Sequence, residues 1–142
     1  MIYHSNMMKT DDVIKKLRQL KLGYISDNIG SDPGRLPEHL SQFMGYATLL
    51  YDYYAEIVKK YELKEAEVIK EENEQQTEVN KNAQKREDRI TDTKIDQRVS
   101  VRVSNLKAEK KYLEVLVKGA TLHVNVCQSL IKNWGDEAKG MR

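Results

Sequence analysis

Length, composition and charge restrict this chain to a few classes of protein. Its 142 residues suit a single domain, and 32% charged residues with only two prolines favour long helices. A net charge of +2 excludes a chain that is basic throughout, and no apolar run reaches the length of about 18 residues that a membrane span needs. The single cysteine, Cys127, excludes an internal disulfide, and without a signal-peptide core the expected location is the cytoplasm.

A short helix over about 11–22 is the first predicted element. Thr10 suits its N-cap, an acidic first turn follows, and Gly23 is a typical stop. Its apolar face consists of Val13, Ile14, Leu17 and Leu20. Because turn residues crowd the next segment, residues 1–36 are expected to form an N-terminal short helix and loop.

Two long helices with a tight corner between them are predicted next. The helices are expected at about 38–89 and 93–134, and the corner at 90–93. Thr93 with Asp96 three residues later matches a capping box at the start of the second helix. Residues 37–142 are therefore expected to form a helical hairpin and oligomerisation domain.

A seven-residue repeat supports the second long helix. Its two rows are Val99, Leu106, Leu113, Ala120, Cys127 and Trp134, and Val103, Lys110, Val117, Val124 and Ile131. Residues 99–103 also alternate between apolar and polar side chains, as in a strand. The seven-residue pattern covers a much longer stretch, so it favours a helix.

The first long helix carries a matching apolar seam formed by Leu40, Met44, Ala47, Tyr51, Tyr54, Val58, Tyr61 and Val68. With a corner near residue 91, the numbers of antiparallel partners sum to roughly 183, and the apolar halves face each other. The predicted fold is all-α, a long antiparallel hairpin with a short N-terminal helix. One hairpin cannot hide so much apolar surface, which predicts a homo-oligomer. The residues expected at the oligomer contact are Leu113, Val117, Ala120, Val124, Cys127, Ile131 and Trp134.

Charge is segregated on either side of this corner. Residues 62–78 contain seven acids and two lysines, whereas residues 81–111 contain ten Lys or Arg and five acids. Four-residue steps place three cations in a row on each helix. The register predicts the pairs Lys81 with Arg102, Lys85 with Arg98, and Arg89 with Lys94. Two interpretations remain open, a face that binds phosphates and a solvated face whose cations are neutralised by nearby acids.

The other polar residues offer weaker candidates. His4, His39 and His123 are far apart in the sequence, and none pairs with Cys127 at a typical metal-ligand spacing. No Gly-rich phosphate loop is present, and no carboxylate pair stands out as catalytic. We therefore expect a protein that is not an enzyme and that needs no cofactor or metal.

The second half of the chain, "TDTKIDQRVSVRVSNLKAEKKYLEVLVKGATLHVNVCQSLIKNWGDEAKG", resembles UvsY-type recombination mediators of bacteriophages. The preceding helix "LYDYYAEIVKKYELKEAEVIKEE" extends the resemblance to about residues 38–140. The resemblance implies a protein that binds single-stranded DNA, forms rings and helps to load a RecA-like recombinase against a single-strand-binding protein. The nearest counterpart of the family's Lys/Arg motif is "KNAQKREDR", which lacks the flanking leucines.

The leading hypothesis is therefore a recombination mediator, located in the host cytoplasm if a phage encodes it. The expected phosphate contacts are Lys81, Lys85, Arg86, Arg89, Lys94, Arg98 and Arg102. Two alternatives belong to other classes, a helical scaffold or assembly protein of a virion and a regulator that binds a host protein.

Overall fold

The structure, a computed structural model, describes residues 8–140, and all regular elements in that range are helical. The predicted all-α fold is thus confirmed. The α-helices are α1 (Thr10–Ser26), α2 (Leu36–Asn82), α3 (Asp92–Arg102) and α4 (Ser104–Gly140). Short 3₁₀ turns lie at Ile29–Ser31 and Arg86–Asp88. Within residues 8–140, no helix combines the length and apolar character that crossing a bilayer requires.

The first helix differs from its prediction at both ends. Lys9, not Thr10, occupies the N-cap position, and no side chain caps the helix there. The helix continues through Gly23, whose carbonyl accepts a hydrogen bond from the Asp27 amide. The chain turns at Asn28, which has a positive φ of 51°. Asparagine tolerates this left-handed conformation better than most residues, so it terminates the segment where glycine was expected to do so.

The second helix begins close to its predicted start but ends earlier. The Asp32 side chain accepts hydrogen bonds from the amides of Gly34 and Arg35, and Pro37 lies in the first turn of the helix. The helix ends at Asn82, so the predicted extension to residue 89 is wrong. Residues 83–91 form the connection instead.

The predicted second long helix is interrupted once. Val103 leaves helical geometry between α3 and α4, although its amide still bonds to the Val99 carbonyl. Residues 99–102 are helical, so the helix interpretation is confirmed against the strand. The cap was placed wrongly, because the Thr91 side chain, not that of Thr93, accepts the Lys94 amide hydrogen bond.

The chain forms two compact units. One unit contains the residues up to Tyr54 and those from Leu113 onward. In it, the predicted face of α1 is buried at Val13, Ile14 and Leu17. The buried apolar residues on α2 and α4 are Leu36, Phe43, Ala47, Leu50, Leu113, Ala120 and Cys127. Phe43 and Leu50 lie outside the predicted seam, because a helix with two helical neighbours buries a wider face than a two-row seam describes.

The other unit, residues 55–112, is an antiparallel helical hairpin. Its core includes Val68 of α2, Ile95 of α3 and Val103. The register differs from the prediction, because Arg102 lies against Glu71 and Glu72 instead of Lys81. Arg98 likewise lies against Glu72 instead of Lys85, so two of the three expected cation pairings do not form.

Candidate functional site

Five of the seven predicted phosphate contacts lie at or beside the connection between α2 and α3. They are Lys81, Lys85, Arg86, Arg89 and Lys94, and together we call them the basic turn. All five side chains are exposed, and none forms an ion pair with a residue that the structure describes. The basic turn therefore presents cations that solution phosphates can reach.

Two helical side chains hold the backbone of this connection. Asn80 pairs with Ile90 in both directions, accepting from its amide at 2.7 Å and donating to its carbonyl at 3.1 Å. Gln76 donates to the same carbonyl at 3.0 Å and to the Asp92 carboxylate at 2.9 Å. These bonds satisfy backbone groups that neither helix uses, so they fix where the chain leaves α2 and enters α3.

The other two predicted contacts, Arg98 and Arg102, are engaged inside the hairpin. Arg102 donates to Glu72 at 3.2 Å and also to Glu71, and Arg98 lies 3.8 Å from the second Glu72 oxygen. Glu72 is only 6% exposed, so its charge needs these partners. The hydrogen bond from Arg102 lowers the pKa of Glu71 below its ordinary value. The acids of α2 thus neutralise part of the predicted basic rows.

A second cluster lies in the unit that contains α1, the residues up to Tyr54 and those from Leu113 onward. Sequence reasoning expected no site there. The Nε2 atoms of His39 on α2 and His123 on α4 are 2.8 Å apart, and Cys127 Sγ lies 3.7 Å from His123 Nε2. The rings of Tyr24 and Phe43 pack against His123 with centroid distances of 4.8 and 4.5 Å. The fold thus brings together residues that are far apart in the sequence. The available signal was the four-residue step from His123 to Cys127, which places both on one helix face.

Burial controls the protonation of this cluster. It lowers the pKa of His123 to about 4, and His39 and Lys21 act in the same direction. Burial also lowers the pKa of His39 and raises that of the Cys127 thiol. At neutral pH the cluster therefore contains two neutral imidazoles and a thiol.

The residues predicted at an oligomer contact lie mostly inside the single chain. Leu113, Ala120 and Cys127 are buried, while Val117, Val124, Ile131 and Trp134 are half-buried. A different face of α4 presents exposed Val115, Leu122 and Val126. Their spacing of seven and four residues aligns them on one side of the helix. We call these three residues the outer apolar face.

Comparisons with known proteins provide no similarity from which a function could be inferred. A scan of protein-family models and searches of curated proteins and of solved structures returned no match to this chain.

Proposed function

We propose that this protein binds single-stranded DNA through the basic turn and acts, as a homo-oligomer, as a recombination mediator. The observation that carries the proposal is the set of five exposed cations at or beside one connection, none of them ion-paired with a described residue. Lys and Arg side chains at such a position bind phosphates without reading base sequence.

The ion pairs inside the hairpin reduce the number of residues assigned to the proposed DNA interface. Arg98 and Arg102 are held by Glu71 and Glu72, so a phosphate has to compete with carboxylates for them. The cations of the basic turn have no such competitor among residues 8–140. We therefore assign the phosphate contacts to the basic turn and a structural role to the two arginines.

The choice of single-stranded DNA among polyanions rests on the resemblance to UvsY-type mediators. That resemblance also supplies the proposed partners, a RecA-like recombinase and a single-strand-binding protein. One basic turn offers few contacts, so tight binding requires several copies on one strand. The outer apolar face supports self-association, because exposed apolar side chains that share one helix face are typical of protein contacts.

A salt series with a fluorescent dT oligonucleotide tests the proposal. Each phosphate contact contributes about −0.7 to the slope of log affinity against log salt. The double variant Lys85→Ala/Arg89→Ala should therefore bind more weakly, with a slope flatter by about 1.4. Anisotropy measures binding, and circular dichroism confirms that helix content is unchanged.

The matched control is Lys59→Ala/Lys60→Ala, which removes the same charge from α2. These lysines are exposed and lie roughly 35 Å along the helix from its C-terminal end. The control should keep the wild-type slope. Equal losses in both double variants would indicate a general charge effect and reject the basic turn. If the wild type bound no oligonucleotide, the assembly-protein alternative would become the better one.

A further inference from the structure

We propose that His39, His123 and Cys127 form a binding site for a thiophilic divalent metal ion of the zinc type. The three residues come from α2 and α4 within one compact unit, and their ligand atoms all lie within 4.8 Å of one another. Two imidazole nitrogens and a thiolate are ligands that zinc prefers. This site is independent of the basic turn and of the DNA-binding proposal.

The distances are close to those of a tetrahedral site. Zn–N bonds of about 2.0–2.1 Å and Zn–S bonds of about 2.3 Å place neighbouring ligand atoms roughly 3.3–3.6 Å apart. The observed Cys127 Sγ to His123 Nε2 distance is 3.7 Å, and the two Nε2 atoms are 2.8 Å apart. The imidazole pair would have to open by roughly 0.5 Å to reach the tetrahedral separation, and the ligand atoms of His39 and Cys127 lie no more than 4.8 Å apart.

The surroundings suit metal binding in two further ways. Tyr24 and Phe43 hold the imidazole planes, and fixed rings lower the ordering cost of coordination. Coordination requires the Cys127 thiol to release its proton, which passes to solvent. Three protein ligands leave a fourth position for water or an external ligand.

The competing explanation is a buried hydrogen-bonded histidine pair beside an inert thiol. In that arrangement one Nε2 donates to the other, and Cys127 contributes only packing. The two explanations differ in what happens to the sulfur, because only a metal site converts it into a coordinated thiolate. A spectroscopic signal from that thiolate therefore decides between them.

The test uses the full chain, purified without a histidine tag and stripped with a chelator. Titration with CoCl₂ should show one ion per chain, visible bands of four-coordinate cobalt and a near-ultraviolet thiolate-to-cobalt band. ZnCl₂ should displace the cobalt. At a hundredfold excess over its dissociation constant, zinc should raise the unfolding midpoint by roughly 5–10 °C.

Three variants complete the test. Cys127→Ser should abolish the thiolate band, and His123→Gln should weaken cobalt binding by at least about tenfold. Ser129→Ala is the matched control, because it changes an exposed position of α4 near Cys127 and keeps all three ligands and the rings that pack on them, so its thiolate band should persist. Absence of that band in the wild type, or its persistence in Cys127→Ser, would overturn the proposal. If Cys127→Ser fails to fold, the wild-type band still decides, because the chain has one cysteine.

Discussion

His123 is the residue whose environment most changes its chemistry. Its pKa falls to about 4 in the folded chain from an ordinary 6.5, chiefly through burial, with His39 and Lys21 adding to the effect. Between pH 6.5 and about 4, His123 therefore binds a proton in the unfolded chain but stays neutral in the folded chain. Stability is full above that pH and is lost as the pH falls toward 4. In EDTA, the urea midpoint should decrease between pH 6.5 and 4.5.

The control for this pH dependence is His123→Gln, which removes the titrating group from among Tyr24, His39 and Cys127. Its urea midpoint should change less over the same interval, with the remaining slope coming from His39, whose pKa is also lowered. Glu71 does not interfere, since its lowered pKa removes stability only below its ordinary value of 4.5. An equally steep decrease in the variant would show that His123 is not responsible.

At the scale of elements, two threonine variants test directly which residue caps the start of α3. Thr91 accepts the Lys94 amide hydrogen bond at 3.3 Å, so Thr91→Ala should lower the free energy of unfolding by about 1 kcal/mol. Thr93 lies inside the first turn without a capping bond, and Thr93→Ala should cost little because alanine has the higher helix propensity. Urea denaturation of both variants measures the difference. A larger loss in Thr93→Ala would restore the predicted cap.

Helix α3 and the connection before it also show which structural features sequence patterns can predict. The seven-residue repeat predicted helix over 99–102 correctly, since it integrates many residues and a local strand pattern integrates few. The corner was misplaced because no breaker marks the end of α2. Its position depends on Asn80 and Gln76 bonding to Ile90, and such tertiary hydrogen bonds leave no periodic signal.

The candidate sites could likewise be predicted only in part from the sequence. Composition and spacing identified the cations of the basic turn, because charge is a property of each residue. Which cations are neutralised depends on register, so the pairing of Arg102 with Glu72 was not foreseen. The approach of His39 to His123 joins residues 84 apart in sequence and requires the folded unit.

For the whole molecule, the open question raised by the sequence was how so large an apolar seam is covered. Much of the answer is internal, because Ile131 and Trp134 pack against a core formed by Ile29, Leu36 and Cys127. The loop before α2 thus covers surface that was expected to need a second copy. Among the large apolar side chains that remain exposed, three lie together on the outer apolar face of α4.

Self-association should therefore depend on that outer face. Leu122 is 66% exposed, so Leu122→Glu should not disturb the core, but a charge there should prevent an apolar contact between copies. Light scattering should give a wild-type mass that is a multiple of 16.5 kDa and a variant mass near that value. Gln128→Glu is the matched control, because it adds the same charge at an exposed position of α4 outside the apolar face and should leave the mass unchanged. A monomeric wild type would contradict the prediction, and the basic turn would then have to bind DNA without the gain from several linked sites.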